Sequence, residues 1–290
     1  MRAEPEATAT GTPLGWRTRR TLRQETLLVL ALSLGASAVS ALISFTGSLT
    51  RPGGLRDQAA NLNGSLAPDR PWLDLAWQLF GITTALAPVA LVAHLLLRDR
   101  LRARASQQRP GPDRAAGAEE PADADGVRSI GFDLRRPGSD LARGALVAAV
   151  IGGSGLALYL GATAAGFNLT VVPESLPEVW WKFPVLVLSA VQNSVLEEVI
   201  VVGYLLRRLD QLGWSASASL GTSALLRGLY HLYQGIGGFV GNLVMGVVFV
   251  LLYRRWGRVG PLVAAHALID IVAFLGYALL ADRVGWLPTA

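Results

Sequence analysis

The chain has no cysteine, one lysine (Lys182), two methionines and three histidines in 290 residues. Without cysteine there is no disulfide framework, no thiolate metal site and no cysteine nucleophile. Charge is scarce as well: 16% of residues are charged, against about 25% in a soluble domain. That shortage argues against a purely soluble enzyme, and a 51% hydrophobic content excludes a disordered chain. The net charge of +5 is carried by arginine. Those arginines sit beside apolar runs, where they orient a chain in a bilayer, so the expected partner is the lipid bilayer and not nucleic acid.

In place of charge there are long apolar stretches. Thr26–Thr50, Leu75–Leu97, Gly144–Pro173, Phe183–Leu206 and Val259–Ala281 each suit one membrane helix, and Gln211–Tyr253 is long enough for two, divided at Gly235, Gly237 and Gly238. A span needs about 20 residues to cross roughly 30 Å of hydrocarbon. The expectation is an all-α, polytopic bundle of about seven transmembrane helices. The first run follows arginines and contains Ala36-Ser37-Ala38. It is too long for the h-region of a signal peptide and reads as an uncleaved helix.

Arg17, Arg19, Arg20 and Arg23 precede the first run, and Arg98, Arg100, Arg102 and Arg104 follow the second. Arg207 and Arg208 end the fourth; Arg254, Arg255 and Arg258 end the sixth. All lie on one side if the N-terminus is cytoplasmic, which expects a multi-pass protein of the plasma membrane. Trp72, Trp180, Trp181, Trp214, Trp256 and Trp286 fall where an aromatic belt is expected. Residues 98–140 are polar and turn-rich at their centre, and read as a flexible cytoplasmic linker with an interfacial lead-in. They separate a two-helix unit, 1–97, from a five-helix unit, 141–290. No internal repeat supports an inverted-repeat transporter.

Ionisable groups inside spans are costly and point to function. Here they cluster in the second unit: Glu197 and Glu198, then Arg227 and His231, then His266 and Asp270. Both later pairs are four apart and share a helix face. Glu197 and Glu198 are adjacent, so on an α-helix they point about 100° apart and have different roles. Counted at about 1.5 Å per residue, Glu197 lies about 15 Å from Arg207, and His266 about 12 Å from Arg258. His231 lies about 25 Å from Trp214 by the same count. Its helix therefore starts late, near Leu220, or is strongly tilted. Two histidines with carboxylates can activate a water: a desolvated carboxyl suits a general base near neutral pH. Alternatively two histidines and a carboxylate can bind zinc, through Glu197, His231 and His266. Asn193, a turn before Glu197, could orient a site group or simply bond across helices. Tyr204 and Tyr230 could bond a carboxylate or only line the cavity.

The three motifs resemble the CPBP family of intramembrane proteases, which includes CAAX prenyl proteases and bacterial bacteriocin-processing relatives. That family carries Glu-Glu-x-x-x-Arg, Phe-x-x-x-His and His-x-x-x-Asn/Asp on successive helices. Glu197-Glu198 with Val202, Arg227 with His231, and His266 with Asp270 follow this order over roughly residues 130–280. Two departures stand out: Val202 replaces the arginine and Arg227 replaces the phenylalanine. The resemblance implies an intramembrane endopeptidase acting on a membrane peptide or precursor protein. Glu197 and His231 would activate the water, His266 and Asp270 would stabilise the oxyanion or complete the site, and Glu198 would support it. Arg227 is expected to replace the missing arginine partner by a positional swap. Metal and glutamate mechanisms both remain open. The alternatives are a catalytically degenerate homologue, acting as a scaffold or bacteriocin-immunity protein, and a proton-coupled transporter.

Overall fold

The computed structural model describes residues 16–107, 126–281 and 283–284. The centre of the 98–140 stretch and Trp286 lie outside the described residues. The elements, in order, are α1 (Trp16–Ala31), α2 (Leu34–Leu49), β1 (Ala59–Asn61), α3 (Pro71–Ala85), α4 (Ala87–Gln107), a 3₁₀ turn (Gly126–Ile130), α5 (Pro137–Ala164) and β2 (Thr170–Val172). Then come α6 (Lys182–Glu197), a π-helical segment (Glu198–Tyr204), α7 (Leu205–Gln211), α8 (Ala216–Tyr230), a 3₁₀ turn (Leu232–Gln234), α9 (Ile236–Trp256) and α10 (Gly260–Leu280).

The all-α, multi-pass character holds, but the count of seven does not. Among the described residues, five helical stretches are long and apolar enough to cross a membrane, or six if the bent pair α1–α2 is one span. The shortfall falls on α8, which has 15 residues and so a length of about 22 Å. It starts at Ala216, not near Leu220, and is capped by the Ser215 hydroxyl accepting from the Ala218 N–H. His231 is its C-cap. The late start is therefore corrected: α8 begins directly after Ser215 and ends at the site. The 49° bend between α1 and α2 falls at Leu32–Ser33, where the Ser33 hydroxyl bonds back to the Val29 carbonyl at 2.6 Å; such back-bonding bends helices.

Sequence signals set the other ends. Proline opens α3 and α5, where its missing N–H costs nothing. Gly257, left-handed at φ 65°, closes α9. The stretch α6–π–α7 forms the centre, with 67% of its apolar window buried, against none for α5 at the lipid-facing periphery. Val29, Val92, Leu96, Ile130, Ile200, Tyr204 and Tyr230 form one cluster, so the first helices and the later ones share a core. A second cluster joins Val202, Leu206, Phe249, Leu262 and Ala265. Trp181 is buried at 2% exposure against Val185 and Phe274, whereas Trp72 and Trp180 are exposed. Helix α4 continues to Gln107, beyond the start of the stretch read as flexible. The strands pair in parallel, Ala59 with Thr170 and Asn61 with Val172, tying the α2–α3 and α5–α6 loops together.

Candidate active site

Three segments bring the ionisable groups together. Glu197 ends α6 and Glu198 opens the π segment. This widened helical turn, of a kind frequent at functional sites, is where both carboxylates reach one partner. The buried Ser223 hydroxyl of α8 donates to the Val201 carbonyl at 3.0 Å, pinning α8 to the π segment. On the other side of α8, Gly246 of α9 lets the helices close up: a Cβ there would lie 2.9 Å from the Ala224 Cα.

The centre is Arg227, with no exposed surface. Its Nη2 donates to both oxygens of Glu198, at 2.7 and 2.6 Å, and its Nη1 lies 3.4 Å from Glu197 Oε2. The guanidinium stands 5.3 Å from the Phe249 ring centroid. Glu198 also accepts from His266 Nδ1 at 2.7 Å, and it is itself fully buried. A buried carboxylate is tolerable only when paired and hydrogen-bonded in this way. Arg227 thus occupies the place in the charge balance that Val202 leaves empty. Val202 is buried in the cluster that contains Phe249.

Glu197 is held differently. Its Oε2 accepts from the Tyr230 hydroxyl at 2.7 Å, while its Oε1 faces His231 Nε2 at 3.9 Å. His231 Nδ1 lies 3.0 Å from the Arg227 carbonyl. A carbonyl only accepts, so Nδ1 carries the proton, and in the neutral ring Nε2 has its lone pair directed at the gap. His266 Nε2 faces Asp270 Oδ2 at 3.7 Å. Asn193 is half-buried, and no hydrogen bond joins it to this cluster among the described residues.

Of the two roles the sequence left open for Tyr230, the bond to a carboxylate is the one it fills. The signal was its place three residues after Arg227, on the same helix face. The zinc set read from sequence is also redrawn. Among the described residues, the group whose ligand atoms lie within 4.8 Å of one another is Glu197, Glu198 and His266, without His231. This group fits a divalent cation poorly, because Arg227 and His266 already take both oxygens of Glu198.

These features define a multi-pass membrane protein with a buried Glu/Arg/His cluster at the end of a short helix. Residues 179–272 match the Rce1-like family, type II CAAX prenyl endopeptidases. The resemblance read from the three motifs is therefore borne out, and Glu197, Glu198, Arg227, His231, His266 and Asp270 all fall within the matched stretch. No curated protein and no solved structure matches the chain.

Proposed function

We propose that this protein is an intramembrane endopeptidase that hydrolyses a peptide bond of a membrane peptide or precursor protein with a water activated by Glu197 and His231. The observation that carries the reading is the 3.9 Å gap between Glu197 Oε1 and His231 Nε2. It is too long for a direct hydrogen bond and suits one bridging water. Such a water donates one hydrogen to each acceptor and turns its lone pairs outward, towards a substrate carbonyl. Glu197 takes the proton as the water attacks, and passes it to the leaving amine. Tyr230 fixes the Glu197 carboxylate by its 2.7 Å bond. His266, whose Nδ1 donates to Glu198, has Nε2, on the side of Asp270, left to donate to the oxyanion. Glu198 is a structural anion held by Arg227.

Arg227 among the carboxylates supports a reaction without a metal, since a guanidinium and a divalent cation would compete for the same oxygens. The family match supports peptide hydrolysis as the reaction class. The arginine distribution supports a plasma-membrane protein with a cytoplasmic N-terminus.

The test is cleavage of a quenched-fluorescent library of apolar peptides by the purified protein in detergent. Wild type should cleave, with or without chelator. Glu197→Gln and His231→Ala should lose at least about 10²-fold, the lower end for a general base. Undiminished cleavage by Glu197→Gln would overturn the assignment.

A further inference from the structure

The two-stranded sheet has one covered edge and one open edge. On β2, the outward N–H groups are taken: Leu169 donates to the Gln234 carbonyl at 3.2 Å and Val171 to the Tyr159 hydroxyl at 3.1 Å. On β1, the groups facing β2 are those of even-numbered residues: Gln58 accepts from Thr170 at 2.9 Å and Leu62 donates to Val172 at 3.0 Å. Strand periodicity then turns the N–H and C=O of Ala59 and Asn61 outward. Among the described residues, no backbone hydrogen bond takes them up. Both residues are exposed.

That open edge borders a cavity. Ala59 and Ala60 line a space of about 620 Å³ whose other walls include Ser40 and Ser44 of α2, Tyr230 and Tyr233. Tyr230 is also the residue whose hydroxyl bonds Glu197. The unpaired strand edge and the carboxylate thus meet through one residue.

An attacking water cannot readily reach a peptide carbonyl wrapped within a helix, so a membrane substrate must present an extended segment to be cut. An unpaired strand edge binds such a segment through main-chain hydrogen bonds, whatever its side chains. We infer that β1 is the substrate-docking strand: an extended segment of the substrate peptide adds to the open edge at Ala59 and Asn61 and runs through the cavity past Tyr230 to Glu197. This inference rests on the protease reading. It predicts that recognition depends on backbone more than on sequence.

The experiment uses the full-length protein in detergent and a biotinylated decapeptide library with quenched fluorophores. Cleavage is followed together with photocrosslinking from p-benzoylphenylalanine placed at Ser44. Ala59→Pro and Asn61→Pro each remove an outward N–H without removing a bond to β2. Each should raise KM and lower crosslinking about tenfold, the scale of one or two lost hydrogen bonds. The same peptides N-methylated at alternate residues should lose as much on the wild-type protein, and that arm decides the matter where a proline variant fails to fold. Cleavage with unchanged KM and unchanged crosslinking, in the variants or with the methylated peptides, overturns the docking strand and leaves the protease standing. Crosslinking that responds as predicted without any cleavage overturns the protease and leaves the strand. Neither signal in wild type overturns both.

Discussion

Arg208 and Arg227 are both fully buried, and both guanidiniums lie against an aromatic ring, Tyr204 at 4.9 Å and Phe249 at 5.3 Å. Their partners differ. Arg208 reaches Asp99 of α4 at 2.5 Å and Gln211 at 2.8 Å, with Glu25 of α1 at 3.9 Å. Those carboxylates are 21% and 14% exposed, and Arg98 bonds both of them. Arg227 instead faces Glu198 at 0% and Glu197 at 11% exposure, deep between helices. One arginine ties the N-terminal helices to the central one, at an end where water and a second arginine share the load. The other is the main counter-charge of two carboxylates that lack such relief. Equal burial of the cation therefore conceals unequal dependence of its anions.

The largest effect is expected from Arg227→Phe. Removing one member of a buried ion pair costs about 3–5 kcal/mol, so thermal unfolding in detergent should show a large loss and cleavage should disappear. Adding Val202→Arg should restore much of the stability, because residue 202 lies in the cluster with the Phe249 ring that Arg227 now covers. A normally stable, active Arg227→Phe would remove the positional swap from consideration. Tyr230→Phe comes next. Loss of a hydrogen bond to a charged group is worth about 1.5–3 kcal/mol, and the loss should fall on kcat more than on unfolding temperature if Tyr230 orients Glu197.

Arg208→Leu should cost about 1.5 kcal/mol, the low end for a hydrogen bond to a charged group, because Asp99 and Glu25 keep Arg98. Activity per folded molecule should be retained, and a total loss of cleavage would show that the N-terminal helices reach into catalysis. Arg258 extends the series to the rim. It bonds Asp133 at 3.0 Å and Asp140 at 2.6 Å. The hydrogen bonds from Arg258 hold the Asp133 carboxyl below the usual carboxylate range. Its contribution is complete above about pH 5, where an unfolded aspartate is ionised. It is lost as pH falls through the depressed value. Asp133→Asn should therefore lower the unfolding temperature at neutral pH but flatten its decline towards pH 3, a difference read by parallel melts.

Most of the membrane architecture was legible in the residues themselves. The apolar runs placed α9 and α10 well, since a helix in lipid must be long, apolar and self-bonded, whereas α5 starts and ends several residues before its run. Arg227, His231 and His266 stood out because charge inside a span needs a reason. The convergence of Glu197 and Glu198 on one arginine was not legible. Neighbours on an α-helix diverge, and only the π segment that begins at Glu198 brings them together. Nor was the length of α8, because an apolar run shows where a helix can exist and not where the chain turns back.

The sequence by itself determined that this is a helical membrane protein with motifs that resemble those of CAAX proteases, and which ionisable residues its spans contain, because hydrocarbon penalises polar groups at any position along a helix. Only the tertiary structure decided which carboxylate is neutralised and which is left facing a histidine. Arg227 and His266 close on Glu198, while Tyr230 and His231 flank Glu197. That choice depends on how α8 and α10 pack against the π segment, a matter of distances of a few ångströms between residues about 30 and 70 positions apart in the chain.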